Sequence, residues 1–240
     1  MNPILFRITK NPKNFVAICF LLMSFQINAQ QVFQFQSGLA SGMAHRYGRD
    51  AMYADTFAYA LNAGKITVPI AGKVWYESEN RTKTWVPVQA DSAGVFRSQA
   101  MNNGYLCLTY TASKAQSALL TISGHAMAYF NGEAHAGDQY RYGYMRVPVL
   151  LKKGLNAIYV RSGFSGRFGG IKASLELGGK PIRLSAADAT LPFLVQGLSK
   201  DKLWAGIVCL NSMAAAESGL SVDASYNLSL IHISEPTRPY

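Results

Sequence analysis

The chain has 240 residues, a formal net charge of +10 and three cysteines. The positive charge is spread in singles and pairs such as Lys152-Lys153, without a basic block, which argues against nucleic acid as a partner. No Cys/His cluster has metal-ligand spacing, so neither a metal nor another cofactor is expected. Cys107 in YLCLTY and Cys209 in GIVCLN read as buried free thiols in apolar runs.

Taken from the N-terminus, Arg7, Lys10 and Lys13 precede an apolar run from Phe15 to Phe25 that ends near Ile27-Asn28-Ala29-Gln30. A basic lead, a short apolar stretch and a small residue at the cleavage point predict a secretory signal peptide over residues 1–29. The run is too short for a bilayer, which takes about 20 apolar residues. The mature chain is therefore expected to be exported, to the periplasm or the exterior of a bacterial cell, with no membrane contact after cleavage. Cys19 lies inside the run and reads as apolar filler. Residues 30–70 form a lead-in with one helical stretch, Asp50 to Leu61.

From there the pattern is alternation between Gly, Asn and Asp punctuation. Strands are expected over Lys65–Ile70, Trp85–Gln89, Gly104–Tyr110, Ala118–Ser123, Ala126–Phe130, Tyr144–Leu151, Asn156–Arg161 and Ile171–Leu177. Short strands at this spacing predict an all-β fold, an antiparallel β-sandwich over residues 71–178. Asn131-Gly132 suits the positive φ angles of a tight hairpin, and Lys152–Asn156 forms a second turn. Pro148 belongs on a sheet edge, where no backbone donor is needed. Gly178-Gly179 marks a boundary. A second β-unit, 179–227, begins with Pro181–Ser185 and Leu203–Leu210 and ends before it closes a sheet.

Catalytic chemistry is hard to find. Gly163-Phe164-Ser165-Gly166 lacks the spacing of a nucleophile elbow. Glu77, Glu79, Glu133, Asp138 and Glu176 are too scattered to form a glycosidase pair. His125 and His135 bracket the Asn-Gly hairpin without an evident partner. No catalytic residue is assigned. A binding surface is better supported, because Tyr140, Tyr142 and Tyr144 alternate with Arg141 in DQYRYGYMR, which ends at Arg146. An extended backbone would put the three rings on one side. Exposed tyrosines stack on the apolar C–H face of a pyranose while nearby arginines hold hydroxyls, so a carbohydrate ligand is expected. The competing reading half-buries these tyrosines against the sandwich or a neighbouring domain. Arg161 belongs to a comparable patch with Phe164, Arg167 and Phe168. Asp138, beside Gly137, fits a loop cap better than a Ca²⁺ ligand, since no second carboxylate is close in sequence.

Within residues 117–177, a strand ending in Asn131-Gly132-Glu133 is followed by Gly137-Asp138 and then by Leu151-Lys152-Lys153-Gly154-Leu155-Asn156. This order resembles the galactose-binding-like jelly roll, the sugar-binding domain of family 2 glycoside hydrolases and an accessory domain of many exported hydrolases. The resemblance implies a jelly-roll sandwich over about 85–178. A wider likeness runs through Trp85–Val88, Gly94–Phe96, Gly104–Leu106, Asp188–Pro192 and Val195–Gly197. It is similar to the N-terminal region of exported prolyl-oligopeptidase-like α/β-hydrolases, which implies a Ser-His-Asp catalytic domain downstream. The alternatives are the sugar-binding domain of a glycoside hydrolase and a stand-alone surface carbohydrate-binding protein. The last residues, LSLIHISEPTRPY (228–240), resemble the in-frame translation of a sequencing-library adapter, which implies that the natural reading frame departs after Asn227.

Overall fold

A computed structural model describes residues 5–10, 30–42, 55–78, 81–138, 140, 142–162, 169–190, 204–213 and 216–225. In chain order the first elements are β1 (Leu5–Lys10), β2 (Gln31–Gln34), β3 (Ser37–Ser41), helix α1 (Thr56–Asn62), β4 (Val74–Ser78), β5 (Arg81–Thr84), β6 (Val86–Gln89) and β7 (Val95–Phe96). Then come β8 (Tyr105–Ala112), β9 (Gln116–Ser123), β10 (Met127–Phe130), β11 (Glu133–Ala136), β12 (Arg146–Leu151), β13 (Gly154–Arg161) and β14 (Ile171–Leu177). The last are β15 (Ile182–Thr190), β16 (Gly206–Asn211) and β17 (Leu220–Ser225).

The chain divides into two compact units. The larger takes residues 27–181 with 212–214. It is an antiparallel β-sandwich: a six-stranded sheet in the order β11-β10-β13-β8-β3-β6 faces a five-stranded sheet of β12-β9-β14-β2, with β7 also paired to β14. Alternation along the strands explains the packing. Leu106 and Leu108 on β8 and Ile158 and Val160 on β13 join Leu120 and Ile122 of β9 in one buried core. Pro148 sits on β12, an edge strand, as its missing donor requires.

The other face of the six-stranded sheet is also covered. Tyr105, Cys107, Tyr129 and Tyr159 form a second buried cluster with Phe57 and Leu61 of α1 and with Trp85. Phe57 is its hub, with ring centroids 4.3 Å from Tyr105, 4.9 Å from Trp75 and 5.6 Å from Tyr159. Asp55 fastens the helix at both oxygens. Its Oδ1 accepts the Ala58 N–H at 3.1 Å as the N-cap, and its Oδ2 accepts the Tyr105 hydroxyl at 2.6 Å and lies 3.0 Å from Arg161 Nε. Burial in this cluster pushes the Cys107 thiol up to about 12, against a weaker opposing pull from the Tyr159 hydroxyl. Cys107 is thus the buried free thiol expected, whereas Cys209, on one face of the two-stranded β15–β16 ladder, is exposed.

Two local expectations change. Lys65–Ile70 is not a strand despite its β-branched residues, because it crosses the second cluster with Ile66 packed inward and the Thr67 carbonyl accepting from Tyr159 at 3.1 Å. Pro69 offers no donor for a ladder. The unexpected β4–β5 hairpin follows instead. The helix is Thr56–Asn62, shorter than expected from Asp50, and residues 50–54 lie outside the described residues.

One buried amide joins the two conspicuous turns. Asn131 and Gly132 have φ of 48° and 93°, which lets β10 turn tightly into β11. The Asn131 Nδ2 donates to Asn156 Oδ1 at 2.9 Å, and Asn131 Oδ1 accepts the Ala157 N–H at 3.1 Å. Asn156, fully buried, also accepts the Lys152 N–H at 2.9 Å and donates to the Lys152 and Gly154 carbonyls at 2.9 and 3.0 Å. It therefore closes the turn at which the chain passes from the five-stranded sheet to the six-stranded one.

The smaller unit comprises residues 1–26, 182–211 and 215–240. It contains two separate two-stranded ladders, β15–β16 and β1–β17. The apolar run at 15–25 and the segment 228–240 lie outside the described residues. No helix among the described residues is long and apolar enough to cross a membrane.

The amide bridge predicts a measurable coupling. Asn156→Ala should destabilise the chain by about 3 kcal/mol, since buried backbone groups lose their partners. Asn131→Gly, which keeps the positive φ, should cost about 1 kcal/mol alone and clearly less in the Asn156→Ala background. Urea unfolding of the four proteins checks this; strict additivity would contradict the bridge.

Candidate functional site: a tyrosine loop between β11 and β12

Residues 137–145 connect the two sheets, and their described residues, all but 139 and 141, are anchored at Gly137, Asp138, Gly143 and Met145. Gly137 lies so close to the β9–β10 turn that a Cβ would fall 2.0 Å from the Ala126 carbonyl oxygen, so only glycine fits without displacement. Asp138 is buried. Its N–H donates to the His125 carbonyl at 2.9 Å, and its Oδ2 accepts the Gly143 N–H at 3.1 Å, which closes the loop. Gly143 takes a φ of +72°, and Met145, buried, returns the chain to the core ahead of β12. Asp138 thus serves as the loop cap.

Three rings are left outside this closed loop. Tyr140, Tyr142 and Tyr144 are 81%, 65% and 44% exposed. Tyr142 and Tyr144 stack at 5.2 Å with planes 19° apart, and Tyr140 lies 6.0 Å from Tyr142 at 35°. The segment is not the extended strand that alternation suggested, since β12 begins only at Arg146. The turn gathers the rings instead. Tyr142 and Tyr144 are thus stacked with near-parallel planes, and Tyr140 is tilted against Tyr142.

The arginines are distributed differently. Arg146 is exposed at the first position of β12, opposite Thr121 and two residues from Tyr144. Arg141, Phe164, Arg167 and Phe168 lie outside the described residues. The Arg161 side chain meets the Asp55 carboxylate. On β13 it pairs with Tyr105 and Met127 on the covered face of the six-stranded sheet, beside the Asp55 carboxylate. Its register fixes it there, where it helps hold the helix.

Beneath the loop sits a residue whose environment the sequence did not reveal. His125 is fully buried, and the polar groups that act on its ring are the Asp138 carboxylate and a hydrogen bond with the Ala136 backbone. Burial lowers its pKa to about 4; the nearby Asp138 carboxylate and Ala136 backbone pull the other way without prevailing. The ring is therefore neutral near pH 7. His135 lies across the hairpin on β11, opposite Ala128. Among the described residues no group of three or more His, Cys, Asp or Glu is arranged to hold a metal ion.

Chemically, the loop offers exposed π-faces, with Arg146 two residues from Tyr144, a surface suited to stacking against apolar C–H faces. Compared with known protein families, curated proteins and solved structures, the chain matches none.

Gly137→Ala should force the loop off the β9–β10 turn, because the overlap is with backbone that cannot rotate away. A loss of about 2 kcal/mol is expected in urea unfolding, with altered near-ultraviolet circular dichroism from the tyrosine stack. Unchanged stability and dichroism would contradict the packing described.

Proposed function

We propose that the chain is exported and that its sandwich is a non-catalytic carbohydrate-binding module, accessory to a hydrolase of the prolyl-oligopeptidase-like type. The observation that carries the binding reading is the solvent-exposed cluster of Tyr140, Tyr142 and Tyr144, the last two stacked, on a loop closed by Asp138 and returned to the core by Met145. Rings fixed before binding lose little rotamer freedom when a ligand arrives, so more of the stacking energy reaches the affinity. Tyr140 is the most exposed of the three, and a pyranose laid on its ring has Arg146 and the tyrosine hydroxyls as candidate partners for its hydroxyls. The export reading is supported by Arg7, Lys10 and Lys13 ahead of the 15–25 apolar run. On this reading β1 is removed with the leader in the mature protein. The hydrolase context is supported by the order of motifs from Trp85 to Gly197.

Binding is tested by titrating the protein calorimetrically with a panel of neutral oligosaccharides. Tyr140→Ala and Tyr142→Ala should each weaken Kd roughly five- to tenfold, about 1 kcal/mol, with unfolding midpoints unchanged. Equal affinity in wild type and both variants would remove the tyrosines from the site. Export is tested by N-terminal sequencing of the protein recovered from a Gram-negative host's periplasm, with a start at Gln30 expected and an intact Met1 contradicting it.

A further inference from the structure

We propose that Tyr142 and Tyr144 are an oxidative modification site: a one-electron oxidant, such as hydrogen peroxide acting through a haem peroxidase, joins their rings by a carbon–carbon bond to give dityrosine. The inference goes beyond sugar binding and does not depend on it.

Tyrosines couple only where an oxidant can reach them and a second phenol lies close. Tyr142 and Tyr144 are both exposed, and their rings stack at 5.2 Å with planes 19° apart. Tyr140, also exposed, is farther from Tyr142 at 6.0 Å and tilted by 35°, which makes it the poorer partner. Tyr59 is well exposed but touches no other ring among the described residues. Tyr105, Tyr129 and Tyr159 are buried and so shielded from the oxidant. The stacked pair owes its geometry to the residue between its members. Gly143 takes a φ of +72°, which a side chain would resist, and its N–H donates to Asp138 Oδ2 at 3.1 Å. The bend held in this way sets the two flanking rings face to face.

The chemistry balances as follows. Each phenol gives one electron and its hydroxyl proton to the oxidant, and one hydrogen peroxide takes up both pairs to become two waters. The two phenoxyl radicals then join through ring carbons ortho to oxygen. The hydrogen on each joined carbon moves to the oxygen, which restores both aromatic phenols, so the net loss is two hydrogen atoms. Exposed side chains change rotamer on the picosecond to nanosecond scale, so rotation about the side-chain torsions can bring the ortho carbons of neighbouring rings together. Once both rings are oxidised, each meets the other at an effective concentration of about millimolar, roughly a hundredfold above that of a second copy at about 10 µM protein. Coupling therefore stays within one chain.

The test treats the full chain at micromolar concentration with a haem peroxidase and hydrogen peroxide, then digests it with trypsin. Cleavage after Arg141 and Arg146 frees Tyr142–Arg146 as one peptide that carries both rings. That peptide should become lighter by two hydrogen atoms and gain dityrosine fluorescence, while the undigested protein keeps the mass of a single chain. Tyr142→Phe and Tyr144→Phe keep a ring but lack the phenol, and each should lose the product completely; Tyr59→Phe should keep it. A bond from Tyr140 to Tyr142 would tie together two peptides that trypsin otherwise separates. That product, one joining two chains, or an unaltered 142–146 peptide at a dose that oxidises Tyr59, overturns the inference. No sugar takes part, so either result leaves the binding reading to its own titration.

Discussion

The position of the tyrosines depends on a side-chain amide far from them. Asn156 ties the Lys152 N–H and carbonyl to the Asn131 amide, and so fixes the hairpin that starts β11 to the turn that ends β12. Residues 137–145 run between those two strands. With both flanking strands fixed at their far ends, the loop has a defined span, and Asp138 and Gly143 need only close it. Breaking the amide bridge should therefore disturb more than local stability, because a buried polar group without its partners costs about 1–3 kcal/mol and invites the turn to rearrange.

The second cluster shows how the lead-in is held. A helix of seven residues is too short to persist in water on its own. Burying Phe57 among Tyr105, Trp75 and Tyr159 contributes about 2–3 kcal/mol. The Asp55–Arg161 pair is partly exposed, with side chains 16% and 28% accessible, and contributes at most about 1 kcal/mol. Ring packing thus sets the helix's position, and the Asp55 carboxylate sets its start.

Much of the sandwich was legible because one face of each strand repeats every second residue. Ile171–Leu177 matches β14 at both ends, and the Asn131-Gly132 turn falls where its dihedral preferences require. The misreadings have a common cause, which is that tertiary contacts decide segments whose local pattern is ambiguous. Lys65–Ile70 carries strand residues but is pinned as a crossing by Ile66 and Thr67. The tyrosines were nominated by alternation, yet a turn closed by Asp138 and Gly143 brings them together. Arg161 was read with Phe164, Arg167 and Phe168, which lie outside the described residues, and its pairing with Asp55 had no local sign in the sequence. His125 gave no local sign of full burial, since nothing in SGHAM announces that residues twelve and thirteen positions later will pack against its backbone. Contacts between residues that far apart are set by the assembled sheets, and a single sequence does not encode them in any short window.

Whether the exposed Tyr140, Tyr142 and Tyr144 form the proposed ligand surface is open to direct test. The most direct measurement is an NMR titration of ring-labelled tyrosine in the full chain with neutral oligosaccharides at pH 7. Saturable shifts are expected at Tyr140, Tyr142 and Tyr144 with ring-to-sugar contacts, while the buried Tyr105, Tyr129 and Tyr159 stay fixed. Shifts that never saturate, or that fall on the buried tyrosines instead, would contradict it.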